Sequence, residues 1–290
     1  MPQVMLLGDS HGDQGFISRA YKQVVAADRD GTDISAVISV GDFGIWPGRS
    51  GTAFLDHVEY WAARTGVPML VVPGNHDDYD QLDAAEPDDD GWLRLRDHVR
   101  AAPRGLVFTL GAATFLACGG AASPDGPGGP FVQARGPYRG TRRIYDRQTN
   151  RVTLKEVDQD LGGWWPQEIV TDADVAACRT AIEQVHAAGG RIHVLVTHEA
   201  PAELNMGGAD FPAGQQVRDR IQQVLNAARP DLAVAGHWHC AKVATLTHDP
   251  DAYGVVLSAN TNPDHPQWLL YDLDTGELTI ARPGRAADRL

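Results

Sequence analysis

The sequence of 290 residues predicts an α/β fold with parallel strands, and three observations support this class. Three short apolar runs, 4–7, 36–40 and 69–72, have the length of buried strands. The first two runs are followed at once by Gly-Asp and the third by Pro73-Gly74-Asn75, which ends each strand in a polar loop. Two segments of helical length, 16–27 and 52–64, separate the runs. Strand, loop and helix repeated in this order indicate βαβ units, whose chemistry lies at the carboxyl ends of the strands.

The middle of the chain changes from this pattern to hairpins and turns. The apolar runs 106–110 and 113–117 flank Gly111 and predict a β-hairpin. Residues 119–140 contain seven glycines and four prolines, too many turn formers for a core element. A loop of this length inside a compact domain is usually functional or disordered. Upstream, residues 77–90 carry eight acids and no base, which, apart from Asp77, predicts a solvated surface turn.

Regular structure resumes after residue 163. Thr171 followed by Asp174 is typical of a capping box, so we expect a helix from there to residue 188. The runs 192–197 and 232–235 predict strands on either side of a helix at 215–228. Four later runs predict antiparallel strands that close the fold: 241–246, 253–258, 268–272 and 277–281. Because no internal repeat or linker interrupts the pattern, we expect one domain over residues 1–290.

Composition limits the partners that the chain can have. With 25 Lys and Arg against 38 Asp and Glu, the formal net charge is −13, which argues against binding of extended nucleic acid. Binding of a small phosphate ligand or of a short single strand remains compatible with this charge.

No apolar run approaches the roughly 18 residues of a membrane span, and the run 4–7 is too short for a signal peptide, so we expect no membrane partner. The three cysteines form no paired motif, which favours a reducing compartment, the cytoplasm.

The predicted strand ends deliver side chains of the types that bind metals. They are Asp9, His11, Asp42, Asn75, His76, His198, His237 and His239. The spacing of two between Asp9 and His11, and between His237 and His239, places each pair on one face of an extended chain. Carboxylate, imidazole and amide together suit divalent Mn, Fe, Zn or Ni. The alternative, in which these are core histidines and turn aspartates, is the interpretation we adopt for the six other histidines.

These residues stand in five blocks, GDSHG, GD, GNHD, TH and GHWH, and in this order they resemble the calcineurin-like metallophosphoesterases. The resemblance extends from Gly8 to His239. It implies a four-layer α/β/β/α sandwich with two mixed β-sheets and a metal site at the carboxyl ends of the strands. It also implies two divalent ions, with Mn²⁺ favoured and Fe, Zn or Ni as alternatives.

The family's roles carry over to matching positions of this sequence. By resemblance, Asp9, His11 and His239 hold the first ion, Asn75, His198 and His237 hold the second, and Asp42 bridges them. A hydroxide bridging the ions is then the nucleophile, and His76 is the general acid that protonates the leaving oxygen. Asn75, His76 and His237 would also contact the substrate.

The form of the blocks narrows the substrate class. Ser/Thr protein phosphatases of this superfamily carry an arginine soon after the second aspartate and another before GNH. Here residues 43–46 contain no arginine and Pro73 precedes the glycine, so a protein phosphatase is disfavoured. GNHD occurs in phosphodiesterase-type members, which favours a phosphodiester of nucleotide type. A phosphomonoesterase and a non-catalytic, metal-dependent binder of a phosphorylated ligand remain the alternatives, and the oligomeric state stays open.

The sequence also predicts an arginine-rich insertion around residues 119–163, flanked by glycine and proline. Residues 131–156 carry seven cations and two anions, with aromatic residues interleaved. We consider a lid that places Arg142 and Arg143 on a nucleotide or short single strand. A solvated hairpin and a contact with an acidic subunit are equally compatible with this charge. The segments 119–123 and 164–168 resemble a bacterial and phage-associated subgroup of the same superfamily.

Overall fold

The computed structural model describes residues 2–124, 126, 136–146, 151–207, 211–281 and 288–289. The helices are α1 Gln14–Arg29, α2 Gly48–Thr65, α3 Tyr79–Ala84, α4 Asp172–Ala187 and α5 Pro212–Ala228. The strands are β1 Pro2–Leu7, β2 Asp33–Ser39, β3 Met69–Val71, β4 Leu93–Arg94, β5 Val99–Ala101, β6 Val107–Leu110, β7 Ala113–Cys118, β8 Gly136–Asp146, β9 Arg151–Trp164, β10 Val194–Thr197, β11 Leu232–Ala235, β12 Lys242–Thr245, β13 Tyr253–Val256, β14 Trp268–Asp272, β15 Leu278–Ala281 and β16 Asp288–Arg289.

The strands form two large mixed sheets and one small one. The first sheet has the order β16-β15-β14-β1-β2-β3-β5-β4, and β1, β2, β3 and β5 are parallel within it. The second has the order β12-β13-β11-β10-β7-β6, with a parallel centre of β13, β11, β10 and β7. Strands β8 and β9 pair only with each other in the described chain. Three of the four strands predicted to close the fold, β12, β14 and β15, make only antiparallel pairs with their neighbours in the described chain. The fourth, β13, differs from its prediction because it is also parallel to β11.

The side chains of alternate strand residues build separate cores. In β1, Val4 and Leu6 belong to the core between the two large sheets, whereas Met5 and Leu7 pack with residues of α1 and α2. In the second sheet, Leu195 packs with residues of α4 and α5. Because successive strand residues point to opposite faces, each large sheet is covered on both sides. The layers are helix, sheet, sheet and helix, which confirms the predicted sandwich.

Local capping explains where two of the helices begin. The Asp13 carboxylate accepts hydrogen bonds from the backbone N–H of Gly15 and Phe16, at 2.7 and 3.1 Å. It thereby pairs two of the N–H groups in the first turn of α1 that have no partner within the helix. Thr171 and Asp174 form the predicted capping box of α4. Among the described residues, no helix has the length and apolarity needed to cross a membrane.

The acidic segment 77–90 differs from its prediction. It begins with the helix α3, in which Tyr79 and Leu82 are buried, rather than being solvated throughout. The Asp78 carboxylate accepts from the backbone N–H of Asp80 and Gln81 and caps this helix. The cap by Asp78 and the burial of Tyr79 and Leu82 therefore stabilise a short helix, although the neighbouring residues carry like charges.

Candidate metal centre

Five strand ends bring the predicted metal-binding side chains to one edge of the molecule. β1, β2 and β3 of the first sheet are followed by the loops that carry Asp9, Asp42 and Asn75. β10 and β11 of the second sheet are followed by His198 and by the loop of His237. Because parallel strands end at the same edge, and the two sheets stack, both sets of loops meet.

The first of two clusters joins Asp9, His11, Asp42 and His239, whose ligand atoms lie within 4.8 Å of one another. His239 Nε2 lies 2.9 Å from His11 Nε2 and 3.5 Å from Asp9 Oδ2. Asp42 Oδ2 lies 3.8 Å from His11 Nε2. The two carboxylates are buried, whereas 48% of the His239 side chain is exposed, so solvent reaches the cluster from that side.

The second cluster joins Asp42, His198 and His237, again with ligand atoms within 4.8 Å. His198 Nε2 lies 3.2 Å from Asp42 Oδ1 and 3.0 Å from Asn75 Oδ1. Asp42 thus directs Oδ2 to the first cluster and Oδ1 to the second. A carboxylate in this position has the geometry to bridge two ions, as the resemblance implies for Asp42.

The hydrogen bonds of His198 show that a cation fits the second cluster. Its Nδ1 lies 2.8 Å from the carbonyl oxygen of Val40, which only accepts, so Nδ1 carries a proton. In the neutral ring the Nε2 lone pair then faces the carbonyl oxygen of Asn75 and the carboxylate of Asp42. His198 Nε2, Asn75 Oδ1 and Asp42 Oδ1 then all point lone pairs at the same place, with no hydrogen-bond donor among them. A divalent cation fits this place, because it binds lone pairs where a proton would otherwise be needed.

The shifted pKa values in the two clusters show which side chains must lose a proton before they can bind a metal ion. Burial tends to lower the pKa of His198, but the nearby carboxylates of Asp42 and Asp9 raise it to about 10. Burial raises the pKa of Asp9 to about 7, and the charge of Asp42 adds to the shift. Burial lowers the pKa of His11 to about 4 and that of His237 to about 3. Neutral imidazoles are ready to bind metal, whereas protons on Asp9 and His198 must leave first.

Two glycines let the loops approach each other. A Cβ atom at Gly74 would overlap the backbone nitrogen and Oδ1 of Asp42. A Cβ atom at Gly236 would overlap Oδ1 of Asp9. The glycines of the GNHD and GHWH blocks are therefore required by the close passage of an aspartate from a neighbouring loop.

His76 lies beside the clusters with one nitrogen already engaged. Its Nδ1 lies 3.0 Å from the carbonyl oxygen of Gly163, so this nitrogen carries a proton and the other, Nε2, is the atom that exchanges one. Its backbone N–H donates to Asp42 Oδ1 at 2.9 Å. The rings of His76 and His11 have centroids 5.9 Å apart, which places His76 next to the first cluster.

Asp77 has a role that the sequence analysis missed. Its buried carboxylate accepts from the backbone N–H of Gly74, at 2.8 Å, and from those of Phe43, Gly44 and Ile45, at 3.1, 2.9 and 3.0 Å. It therefore ties the loop after β3 to the loop after β2. The final aspartate of GNHD was the available signal, but its partners are backbone groups that no sequence pattern identifies.

Glu199 is a second buried acid that the sequence analysis did not single out. Its Oε1 accepts from Trp238 Nε1 at 2.7 Å, and its Oε2 lies 3.6 Å from His237 Nε2. Burial raises the pKa of this carboxyl to about 7. Glu199 therefore lies next to the ring of His237, with one carboxylate oxygen fixed by Trp238.

The predicted substrate-binding arginines lie in the small sheet. Arg142 and Arg143 belong to β8, opposite Lys155 and Leu154 of β9. Residues 127–135 and 147–150 of the predicted insertion lie outside the described residues. A contact between these arginines and a substrate stays a prediction.

Two clusters that share one carboxylate, at the joint edge of two stacked sheets, define a candidate dinuclear metal centre on an α/β/β/α sandwich. The family model described as calcineurin-like phosphoesterase matches residues 2–241. The chain belongs to this family and is a metal-dependent phosphoesterase.

Solved structures share the fold at low sequence identity. A dimetal phosphatase from Danio rerio aligns with a TM-score of 0.55 and 13% identity, covering 99% of this chain and 98% of the other. GAP50, described as the anchor in the inner membrane complex of Plasmodium, aligns with a TM-score of 0.54 and 11% identity, covering 99% and 88%. No curated protein matches the chain.

Proposed function

We propose that the protein is a dinuclear-metal phosphodiesterase that acts on nucleotide-type substrates. The observation that carries this proposal is the shared position of Asp42, whose two carboxylate oxygens face different clusters. Asp9, His11 and His239 would hold the first ion, and Asn75, His198 and His237 the second. Mn²⁺ is the favoured ion, with Fe, Zn and Ni as alternatives, because the ligands mix carboxylate, amide and imidazole.

The chain's own side chains supply orientation and a proton. When bound, the two divalent ions would supply an activated water and neutralise charge on the phosphoryl oxygens. His76, held by the Gly163 carbonyl at Nδ1, would give its Nε2 proton to the leaving oxygen. Asn75 and His237 would contact the phosphate from the second cluster.

A diester is favoured over a monoester by the residues next to the clusters. The positions that carry arginine in protein phosphatases are occupied here by apolar residues and by proline. Phe43 and Ile45 are fully buried, and the carbonyl of Pro73 accepts from Gly120 N–H at 2.8 Å. A diester carries one negative charge where a monoester carries about two, so it needs fewer cations around it. The small number of cations at these positions therefore supports a diester as substrate.

The Arg-rich insertion supports a nucleotide-type leaving group. We propose one catalytic domain over residues 1–290, in which Arg142 and Arg143 of the insertion contact the phosphate or base of a nucleotide or short single strand.

The cysteines Cys118, Cys178 and Cys240 are free thiols, which supports a reducing compartment such as the cytoplasm.

Chromogenic esters test the substrate class. We expect Mn²⁺-dependent hydrolysis of bis(p-nitrophenyl) phosphate with a kcat/KM at least tenfold above that for p-nitrophenyl phosphate, and no turnover in EDTA. A panel of nucleotides, cyclic nucleotides and short RNA or DNA would then identify the natural class. A preference for the monoester would make the protein a phosphomonoesterase. Retention of a phosphorylated ligand without product would make it a binding protein.

A further inference from the structure

Two segments outside the metal-binding blocks meet beside Asn75. The first follows β7 and ends at Ser123, and the second follows β9 and ends at Glu168. Both residues are buried, with exposed fractions of 2% and 1%. The segments are the same two stretches, 119–123 and 164–168, that the sequence analysis singled out without a role. Their contact links the insertion to the metal centre.

A chain of hydrogen bonds connects Glu168 to Asn75 through Ser123. Asn75 Nδ2 donates to Ser123 Oγ at 2.8 Å. The Ser123 backbone N–H donates to Glu168 Oε1 at 2.6 Å. The Trp165 backbone N–H donates to Glu168 Oε2 at 3.0 Å. The carboxylate is thus held at both oxygens.

These hydrogen bonds set which end of the Asn75 amide faces the metal position. The Ser123 hydroxyl oxygen accepts from the NH₂ end of Asn75, and the bond from the Ser123 backbone N–H to Glu168 fixes the position of Ser123. The opposite end, Oδ1, therefore faces His198 Nε2, 3.0 Å away. The two ends of an amide have nearly the same size, so shape alone would not select this orientation.

We propose that Ser123 and Glu168 are positioning residues that hold the Asn75 amide with Oδ1 toward the second metal position. This inference rests on the proposed role of Asn75 as a ligand. Outer partners of this kind contribute about 10- to 100-fold to metal affinity in other proteins.

The residue directly before the second segment contacts His76. The carbonyl of Gly163 accepts from His76 Nδ1 at 3.0 Å. Residues 163–168 therefore contact His76 directly and Asn75 through Ser123.

The test is a Mn²⁺ titration of the full chain by isothermal calorimetry at pH 8. This pH lies above the pKa of about 7 to which burial raises Glu168, so the carboxylate is ionised. In Ser123→Ala we expect the affinity of the second ion to fall about 10- to 100-fold. The affinity of the first ion should be unchanged, because Asp9, His11 and His239 make no hydrogen bond with Ser123 among the described residues. Saturating Mn²⁺ should restore most of the lost turnover.

Matched variants separate positioning from a general loss of packing. Ser39 is also fully buried, and its hydroxyl has no hydrogen-bond partner among the described residues, so Ser39→Ala should leave both affinities unchanged. Glu168→Gln should also weaken the binding of the second ion alone. One end of a glutamine side chain is an NH₂ group, which cannot accept a hydrogen bond from a backbone N–H, so the anchor of Ser123 is weakened. Cooperative thermal unfolding in EDTA shows that each variant is folded.

Asn75→Ala distinguishes failure of this inference from failure of the proposed function. If Asn75→Ala leaves the second ion's affinity intact, the ligand assignment is wrong and the inference falls with it. If Asn75→Ala abolishes the second site but Ser123→Ala and Glu168→Gln do not weaken it, the positioning role alone is overturned. Ser123→Ala should have no further effect in the Asn75→Ala background, since the pair acts as a unit.

Discussion

Four residues of the candidate metal centre have left-handed backbone, which side chains other than glycine rarely adopt. Their φ angles are 43° at His11, 45° at Asp42, 67° at His237 and 52° at His239. Each costs about 1–3 kcal/mol and persists only where surrounding contacts impose it. His11 N–H donates to the Asp42 carbonyl at 2.8 Å, and His237 N–H donates to the Asp9 carboxylate at 3.0 Å. The backbone is therefore held in the ligating shape by the protein's own hydrogen bonds.

His76→Ala tests the separation of acid catalysis from metal binding. We expect kcat on a phosphodiester to fall about 10²- to 10⁴-fold, the usual contribution of a general acid. Mn²⁺ stoichiometry should remain two, because His76 belongs to neither cluster of ligand atoms. Steady-state kinetics and calorimetry measure the two quantities on the same preparation.

A histidine away from the centre provides the control for this variant. His98 is partly buried and its Nδ1 lies 2.7 Å from Glu59 Oε1, remote from both clusters. His98→Ala should leave turnover unchanged. Wild-type turnover in His76→Ala would show that the leaving oxygen takes its proton from another source.

At the level of secondary structure, the site depends on strand ends from both large sheets. The first cluster takes Asp9, His11 and Asp42 from loops of the first sheet and His239 from the second. Loops of a few residues on buried strands move little, because the strands that carry them are fully packed. The stacking of two sheets is thus what completes each cluster.

The small sheet β8–β9 carries the charge proposed to bind the substrate. Replacing Arg142 and Arg143 together by Gln should raise KM for a nucleotide substrate about tenfold or more. KM for bis(p-nitrophenyl) phosphate should change little, since that substrate lacks a nucleotide to contact. Steady-state kinetics with both substrates measure the difference.

A second pair of arginines controls for the change in net charge. Arg29 and Arg64 are exposed at the ends of α1 and α2, on the opposite edge of the first sheet. Their replacement by Gln removes the same charge and should leave both KM values unchanged. Equal effects of the two double variants would assign the result to long-range electrostatics rather than to contact.

For the molecule as a whole, metal binding should raise thermal stability, and more so at pH 8 than at pH 6. A ligand of the folded state at 100 times its Kd adds about 2.7 kcal/mol, or about 5 °C in Tm for a chain of this size. The pKa of Asp9 is raised to about 7 and that of His198 to about 10. A group whose pKa rises on folding stabilises the metal-free protein at low pH, and this contribution is lost as the pH rises through the folded pKa.

The metal-free protein therefore loses stability between pH 6 and pH 8 as Asp9 ionises, and the metal compensates for that charge. Differential scanning calorimetry with Mn²⁺ and with EDTA at the two pH values measures the difference in Tm. A metal-induced shift that is equal at both pH values, or larger at pH 6, would contradict the assigned protonation of these ligands.

The class of the fold and the side chains that meet in the two clusters could be predicted because their signals are local in the chain. An apolar run followed by Gly-Asp or Gly-Asn marks a buried strand and its polar end without reference to any other segment. The helix α3 was missed because it is short, and Asp78 caps it within a run of like charges. Such a helix depends on burial of Tyr79 and Leu82, which a local pattern does not show.

The order of blocks from Gly8 to His239 was enough to predict a centre for divalent ions, since carboxylate, imidazole and amide side chains are ligands of such ions. The tertiary structure decided how that chemistry is held in place. Asp77 ties two ligand loops together through backbone N–H groups, and Ser123 with Glu168 orients the amide of Asn75. These partners lie up to 48 positions apart in the chain, and only the packing of two sheets brings them within hydrogen-bonding distance.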